Sequence, residues 1–268
     1  MIYVQSSDNI RLAVFDYQPN AKKTVLLLHG WPFSHEIFEY QIRPLTERGF
    51  RVIAMDFRGF GASDSPAFGY GYDQLASDLY RVVTSLSLSS FVLVGFSMGG
   101  AVALRYMRLF GGYGVQKLIL LAAAAPCFAR RPGCPAGMPR EAVQALIARA
   151  ECDRPGLLRE FCGRQLLACP HGQPVKDWLE GIALSASGIG TVRAARALRD
   201  EDGRGDLSAV DVPVFLLHGR KDAVVSPKLA RILCANIRNA RLFWLEHSGH
   251  AIFYDELEEF NRIFFGCL

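Results

Sequence analysis

Short apolar runs alternate with segments of helical spacing through the first half of the chain. Ile10 to Tyr17 alternates loosely and predicts a strand. Thr24-Val25-Leu26-Leu27-Leu28-His29 is continuously apolar up to its last residue and runs into Gly30-Trp31-Pro32, as a strand buried on both faces would. Glu36 to Arg48 reads as a helix, and Arg51 to Met55 as a short strand followed by a turn through Gly59 and Gly61. Tyr72 to Leu86 has helical apolar spacing, with Asp73 near its start. Ser90 to Val94 predicts a second buried strand, Ala101 to Phe110 a helix and Val115 to Leu121 a further strand. The order β-α-β-α-β-α-β implies a mostly parallel sheet with helices on both faces.

That pattern stops after Leu121. From Ala125 to about Gly205, helical pieces (Arg140 to Arg149, Leu157 to Leu167, Val175 to Leu184, Thr191 to Leu198) stand among Pro, Gly and Cys, and no strand interrupts them. Val212 to His218 restores the strand pattern, Ala240 to Leu245 predicts a last strand and Glu256 to Phe265 a last helix. The expectation is one α/β core, residues 1–124 and 206–268, carrying a helical cap over 125–205. An insertion of that length is more than a loop.

Composition narrows the class. Half of the 268 residues are hydrophobic and 21% are charged, which excludes disorder as a description of the whole chain. The longest strongly apolar run, Leu118 to Ala129, is 12 residues, short of the roughly 20 that a membrane-spanning helix needs. The first residues lack the basic start and apolar stretch of a secretory signal, so a cytoplasmic protein is expected. Thirty basic residues against 26 acidic ones leave a net charge of +4, too mild to argue for nucleic acid. Between Pro126 and Pro170, however, stand seven Arg, no Lys and four acids. The seven Cys show no C-x-x-C pair, and neither a disulfide framework nor a metal site is expected.

The chemistry centres on Gly95-Phe96-Ser97-Met98-Gly99, which fits the G-x-S-x-G elbow between a buried strand and a helix. A serine hydroxyl there needs a base, and the elbow pattern sets the chain order Ser, acid, His. Asp222, just past the strand ending at His218, and His250, just past the last strand, are the candidates for acid and base. Both fall at the carboxyl ends of strands, where open α/β sheets place their sites. His247 is the alternative base. Asp211 precedes its strand and is at the wrong end, and Asp200, Glu201 and Asp202 read as a solvated surface run. For an oxyanion hole, the backbone N–H of Met98 and that of Trp31 are the expected donors; Pro32 has none to offer. Trp31, Phe96 and Phe128 are candidates for contact with substrate, and Trp31 could equally be core packing. No Gly-rich phosphate loop is present, since Gly59-Phe60-Gly61 lacks the dinucleotide spacing, and no metal or organic cofactor is expected.

With these residues in place, the sequence resembles the α/β-hydrolase superfamily over nearly its whole length. It is most similar to the cofactor-free haloperoxidase, perhydrolase and aryl esterase branch. The resemblance rests on His29-Gly30-Trp31-Pro32, Asp56 to Asp64, Gly95 to Gly100 and Ala122 to Phe128. It implies Ser-His-Asp ester hydrolysis through an acyl-enzyme, with a peroxide side reaction associated with Trp31-Pro32. The stretch Ala125 to Arg130 is similar in style to the lid of pimeloyl carrier-protein methyl ester esterases. That similarity implies an acidic acyl carrier protein as partner, with Arg140, Arg149, Arg154, Arg159 and Arg164 as its candidate surface; a solvated Arg face is the other reading. Amide or carbon–carbon bond hydrolysis, a ligand receptor without turnover and cofactor-free oxygenation remain open on the same scaffold, as does the oligomeric state. A carboxylate-nucleophile dehalogenase or epoxide hydrolase is disfavoured by Ser97.

Overall fold

The computed structural model describes residues 1–268. Strands β1 (Ile2–Gln5), β2 (Arg11–Tyr17) and β3 (Lys23–Leu28) lead through a 3-10 turn into helix α1 (Glu39–Glu47). Then come β4 (Phe50–Met55), α2 (Tyr72–Ser85), β5 (Phe91–Phe96), α3 (Met98–Phe110) and β6 (Val115–Leu121). Four helices follow without a strand: α4 (Arg140–Cys152), α5 (Arg154–Glu160), α6 (Gln173–Leu184) and α7 (Gly188–Asp200). The chain closes with β7 (Val214–Gly219), α8 (Pro227–Asn236), β8 (Ala240–Leu245), α9 (Ile252–Asp255) and α10 (Leu257–Cys267).

The eight strands form one sheet in the order β1-β2-β4-β3-β5-β6-β7-β8. Only the pairs β1/β2 and β2/β4 are antiparallel. The apolar runs are the central strands: every residue of β5 and the last four of β3, β4 and β6 are buried, because helices cover both faces. No helix is long and apolar enough to cross a membrane.

Several elements depart from the sequence reading. β1 was not expected; it is four residues long and buries only Val4, too little for a pattern to register. α8 was also missed, although Ser226 caps it and Pro227 opens it, a readable helix start. The expected helix Glu36 to Arg48 is a 3-10 turn, His35–Phe38, followed by α1. α3 starts at Met98 rather than Ala101, its first turn hidden by Gly99 and Gly100. Both glycines are required by close approach: a Cβ on Gly99 would lie 2.5 Å from the carbonyl oxygens of Leu28 and His29. The expected helix Leu157 to Leu167 divides into α5 and a π-helical turn, Phe161–Gln165.

The acidic run is not simply solvated. Asp200 is exposed and pairs with Arg140 and Arg199. Glu201, by contrast, accepts from the Tyr72 N–H and from buried Arg105, and Asp202 pairs with Arg204 and accepts from the Cys127 thiol. Arg105 also holds Asp206, at 2.9 Å, and Asp73. This network fastens the chain leaving α7 to α2 and α3. Its 3-10 turn, Arg204–Ala209, straddles the boundary expected at 205/206.

The Asp56 to Asp64 segment is also structural. Asp56 accepts from the His35 and Ala62 N–H groups and from the His35 ring, and Ser63 bridges the Asp56 carbonyl and the Ala13 N–H. Arg58 is fully buried between Asp78 and Asp8. His29 is buried, and burial pushes its pKa down to about 4. It is therefore neutral, its Nδ1–H directed at the Gly30 carbonyl and its Nε2 accepting from the Phe57 N–H. His29 thus pins the loop that carries Trp31.

Candidate active site

Ser97 sits between β5 and α3 with φ 52 and ψ −117, a left-handed conformation that strains any residue but glycine. The surrounding backbone over-determines it: the Ser97 N–H donates to Leu121 O, and Ser97 O accepts from the Ala124 N–H, both at 2.9 Å. Gly30 faces it closely, since a Cβ there would meet the Ser97 Cβ at 2.7 Å. Ser97 Oγ lies 2.9 Å from His250 Nε2, and His250 Nδ1 lies 2.8 Å from Asp222 Oδ2. With Nδ1–H donated to the carboxylate, Nε2 is the free base that accepts the serine O–H. The structure thus brings together three residues that the sequence spreads over 153 positions. His247 is exposed and makes no such contact.

Asp222 is held from several sides. Its Oδ1 accepts from the Val224 and Val225 N–H groups, each at 2.8 Å. Burial alone would raise its pKa, but the charge of His250 and the donors from His218 and His250 outweigh burial and hold it well below the usual carboxylate range. The His250 loop is fixed in turn by the insertion, because the His250 and Ala251 N–H groups both donate to Leu166 O at 3.0 Å. Leu166 directly follows the π-helical turn, a local irregularity that often marks function.

The two expected oxyanion donors are unspent. The Trp31 N–H has no acceptor within the chain, and that of Met98 opens α3, where no intrahelical acceptor exists. The Trp31 indole donates to Thr191 O of α7 and meets Phe161 edge-on at 5.5 Å, so it is both core packing and cavity wall.

Ser97 opens into a narrow, nearly closed cavity of about 20 Å³, walled by Trp31, Phe128, Met138, Phe161 and other apolar side chains. Gln165 is its single polar lining residue besides Ser97. Of the three expected substrate contacts, Trp31 and Phe128 line it. Phe96 does not; it lies fully buried with its ring 4.9 Å from that of His250. Sequence reasoning expects the 125–205 helices to shape the pocket but does not name the wall residues supplied by α4, the π-helical turn and α7, since their apolar spacing reads the same whether it faces core or cavity. An open surface groove lies elsewhere, between Tyr17, Glu39 and Trp178, and contains neither Ser97 nor His250. Most of the candidate arginine surface is engaged: Arg140 pairs with Asp200, Arg149 with Glu160 and Arg159 with Glu180, while Arg154 donates to the Ala186 carbonyl.

The alpha/beta hydrolase fold family model matches residues 23–257, and the chain belongs to that family. It is 41% identical to the AB hydrolase superfamily protein YisY of Bacillus subtilis, over 97% of this chain and 96% of that protein. Among solved structures it is similar to an esterase from Exiguobacterium antarcticum (EaEST), at 41% identity and a TM-score of 0.95, covering 98% of this chain and 97% of that one. It is also similar to a bromoperoxidase from Bacillus anthracis, at 29% identity and a TM-score of 0.93, covering 98% of each chain. Esterase-like relatives matched over nearly their full length support hydrolase activity.

Proposed function

We propose that this chain is a serine carboxylic-ester hydrolase acting through an acyl-enzyme on small-molecule esters. The observation that carries the reading is the continuous hydrogen-bond chain from Ser97 Oγ through His250 to Asp222 at the floor of an apolar cavity. His250 Nε2 takes the Ser97 proton as Oγ attacks the ester carbonyl, and Asp222 stabilises the imidazolium that forms. The oxyanion is received by the N–H groups of Met98 and Trp31. His250 then protonates the departing alcohol, and water repeats the sequence on the acyl group. The unit 125–205 acts as a cap, supplying cavity walls and, through Leu166, holding the His250 loop.

Hydrogen peroxide in place of water would release a peracid, and similarity to a bromoperoxidase supports that side reaction. A carrier-protein ester is the weaker reading, because the arginines that would meet an acidic carrier are mostly engaged within the insertion. A p-nitrophenyl ester series from acetate to octanoate tests the proposal. The narrow cavity predicts kcat/KM at least about tenfold higher for acetate or butyrate than for octanoate, one pocket misfit being worth about that factor. No turnover of any ester would overturn the reading in favour of a receptor or an oxygenase.

A further inference from the structure

Asp222 meets a second imidazole. His218, the penultimate residue of β7, is buried, with Nε2 3.0 Å from Val225 O and 3.3 Å from Asp222 Oδ2. A carbonyl oxygen only accepts, so Nε2 carries the proton, and the same N–H also faces the carboxylate. Oδ2 is also the oxygen that accepts from His250 Nδ1, while Oδ1 is taken by the two backbone N–H groups. We propose that His218 is a positioning residue for ester hydrolysis: its Nε2–H, shared between Val225 O and Asp222 Oδ2, fixes the rotation of the carboxylate that orients His250. This rests on the proposed roles of Ser97, His250 and Asp222.

Two effects follow. The backbone N–H groups hold Oδ1, and on Oδ2 the His218 N–H is the donor that is independent of His250 itself; together they fix the carboxylate plane, so His250 keeps one tautomer and one orientation toward Ser97. A donor on Oδ2 also withdraws part of the charge that would otherwise stabilise the His250 imidazolium. Removing it therefore makes His250 harder to deprotonate. Arg130, which lines one surface pocket with Asp222, and Lys221, Lys228, Arg231, His247, Asp255 and Glu256 stand on the elements around this group, and none hydrogen-bonds to His218, Asp222 or His250 through its side chain. His218 does not line the cavity, so substrate binding does not depend on it directly.

The test compares His218→Leu, His218→Asn and His218→Gln with wild type. Gln reaches to the Nε2 position and retains an N–H there; Asn is polar but too short, and Leu has no donor. Leu and Asn are expected to lower kcat about tenfold with KM within about twofold. They should also move the acid limb of kcat/KM upward by about half a pH unit, and Gln should restore both. The low-field proton resonance of the His250–Asp222 hydrogen bond should shift in Leu and Asn and return in Gln. A merely structural role would lower the active fraction without moving the limb or the resonance. The proposal is overturned if folded Leu or Asn variants keep the wild-type limb and resonance, or if Gln behaves like Asn. Should Leu fail to fold, the Asn and Gln pair decides. Should wild type hydrolyse no ester, the assigned activity falls, and the resonance still reports whether His218 fixes Asp222.

Discussion

Ser97→Ala is expected to lower kcat on a short-chain p-nitrophenyl ester by at least about a thousandfold, with KM changed only a few-fold. That corresponds to about 4 kcal/mol or more of transition-state stabilisation, at 1.36 kcal/mol per tenfold. The substitution deletes one oxygen atom, the one 2.9 Å from His250 Nε2. Alanine still has to hold φ near 52, as serine does, so the elbow strain is little changed. The cavity walls and the unspent Trp31 and Met98 N–H groups stay in place, so substrate binding should survive while the covalent route is lost. Steady-state kinetics on folded variant and wild type, in one buffer, read the split. A loss confined to KM would instead assign Ser97 to binding.

The second large effect is on stability. Arg58 and Asp78 are both fully buried and joined by two bonds, Nε to Oδ2 at 2.7 Å and Nη2 to Oδ1 at 2.8 Å. The partly exposed Asp8 takes the other side of the guanidinium. Asp78→Ala strands a buried cation on one solvent-facing partner, and breaking such a pair costs about 3–5 kcal/mol. The double variant Arg58→Met/Asp78→Leu, which removes both charges and fills the space, should recover much of that loss. Urea unfolding checks both: Asp78→Ala should lower the midpoint at constant m, and the double variant should lie closer to wild type. A double variant worse than Asp78→Ala would show that the pair itself stabilises the fold. Arg58 lies in the segment that resembles the family, so this also tests whether that likeness reflects architecture rather than chemistry.

The legible parts of the fold were those with a strong one-dimensional signature. β6 falls at Val115–Leu121, because a strand covered on both faces leaves an apolar run with sharp ends; β8, the half-buried edge strand Ala240–Leu245, was legible from its Leu242-Phe243-Trp244-Leu245 run. The three residues of the proposed chemistry were legible because the elbow sequence dictates a turn and the turn dictates the order of its partners. What the sequence could not display was side-chain direction. Phe96 and Phe128 are equally aromatic and near equally conspicuous, yet one packs behind His250 and the other lines the cavity. Glu201 and Asp202 look like a solvated run but meet Arg105, Tyr72 and Cys127 from elements distant in sequence. His218 carried no signal beyond ending a strand; its contact with Asp222 depends on the turn between them.

The central claim is that Ser97 becomes acylated during turnover, and rapid-quench mass spectrometry during hydrolysis of a p-nitrophenyl ester tests it most directly. The account predicts a burst of nitrophenolate of about one equivalent at most, with the acyl mass carried by the peptide containing Ser97 and absent in Ser97→Ala. Turnover with the acyl group on another residue, or a Ser97→Ala variant that hydrolyses at the wild-type rate, would contradict it.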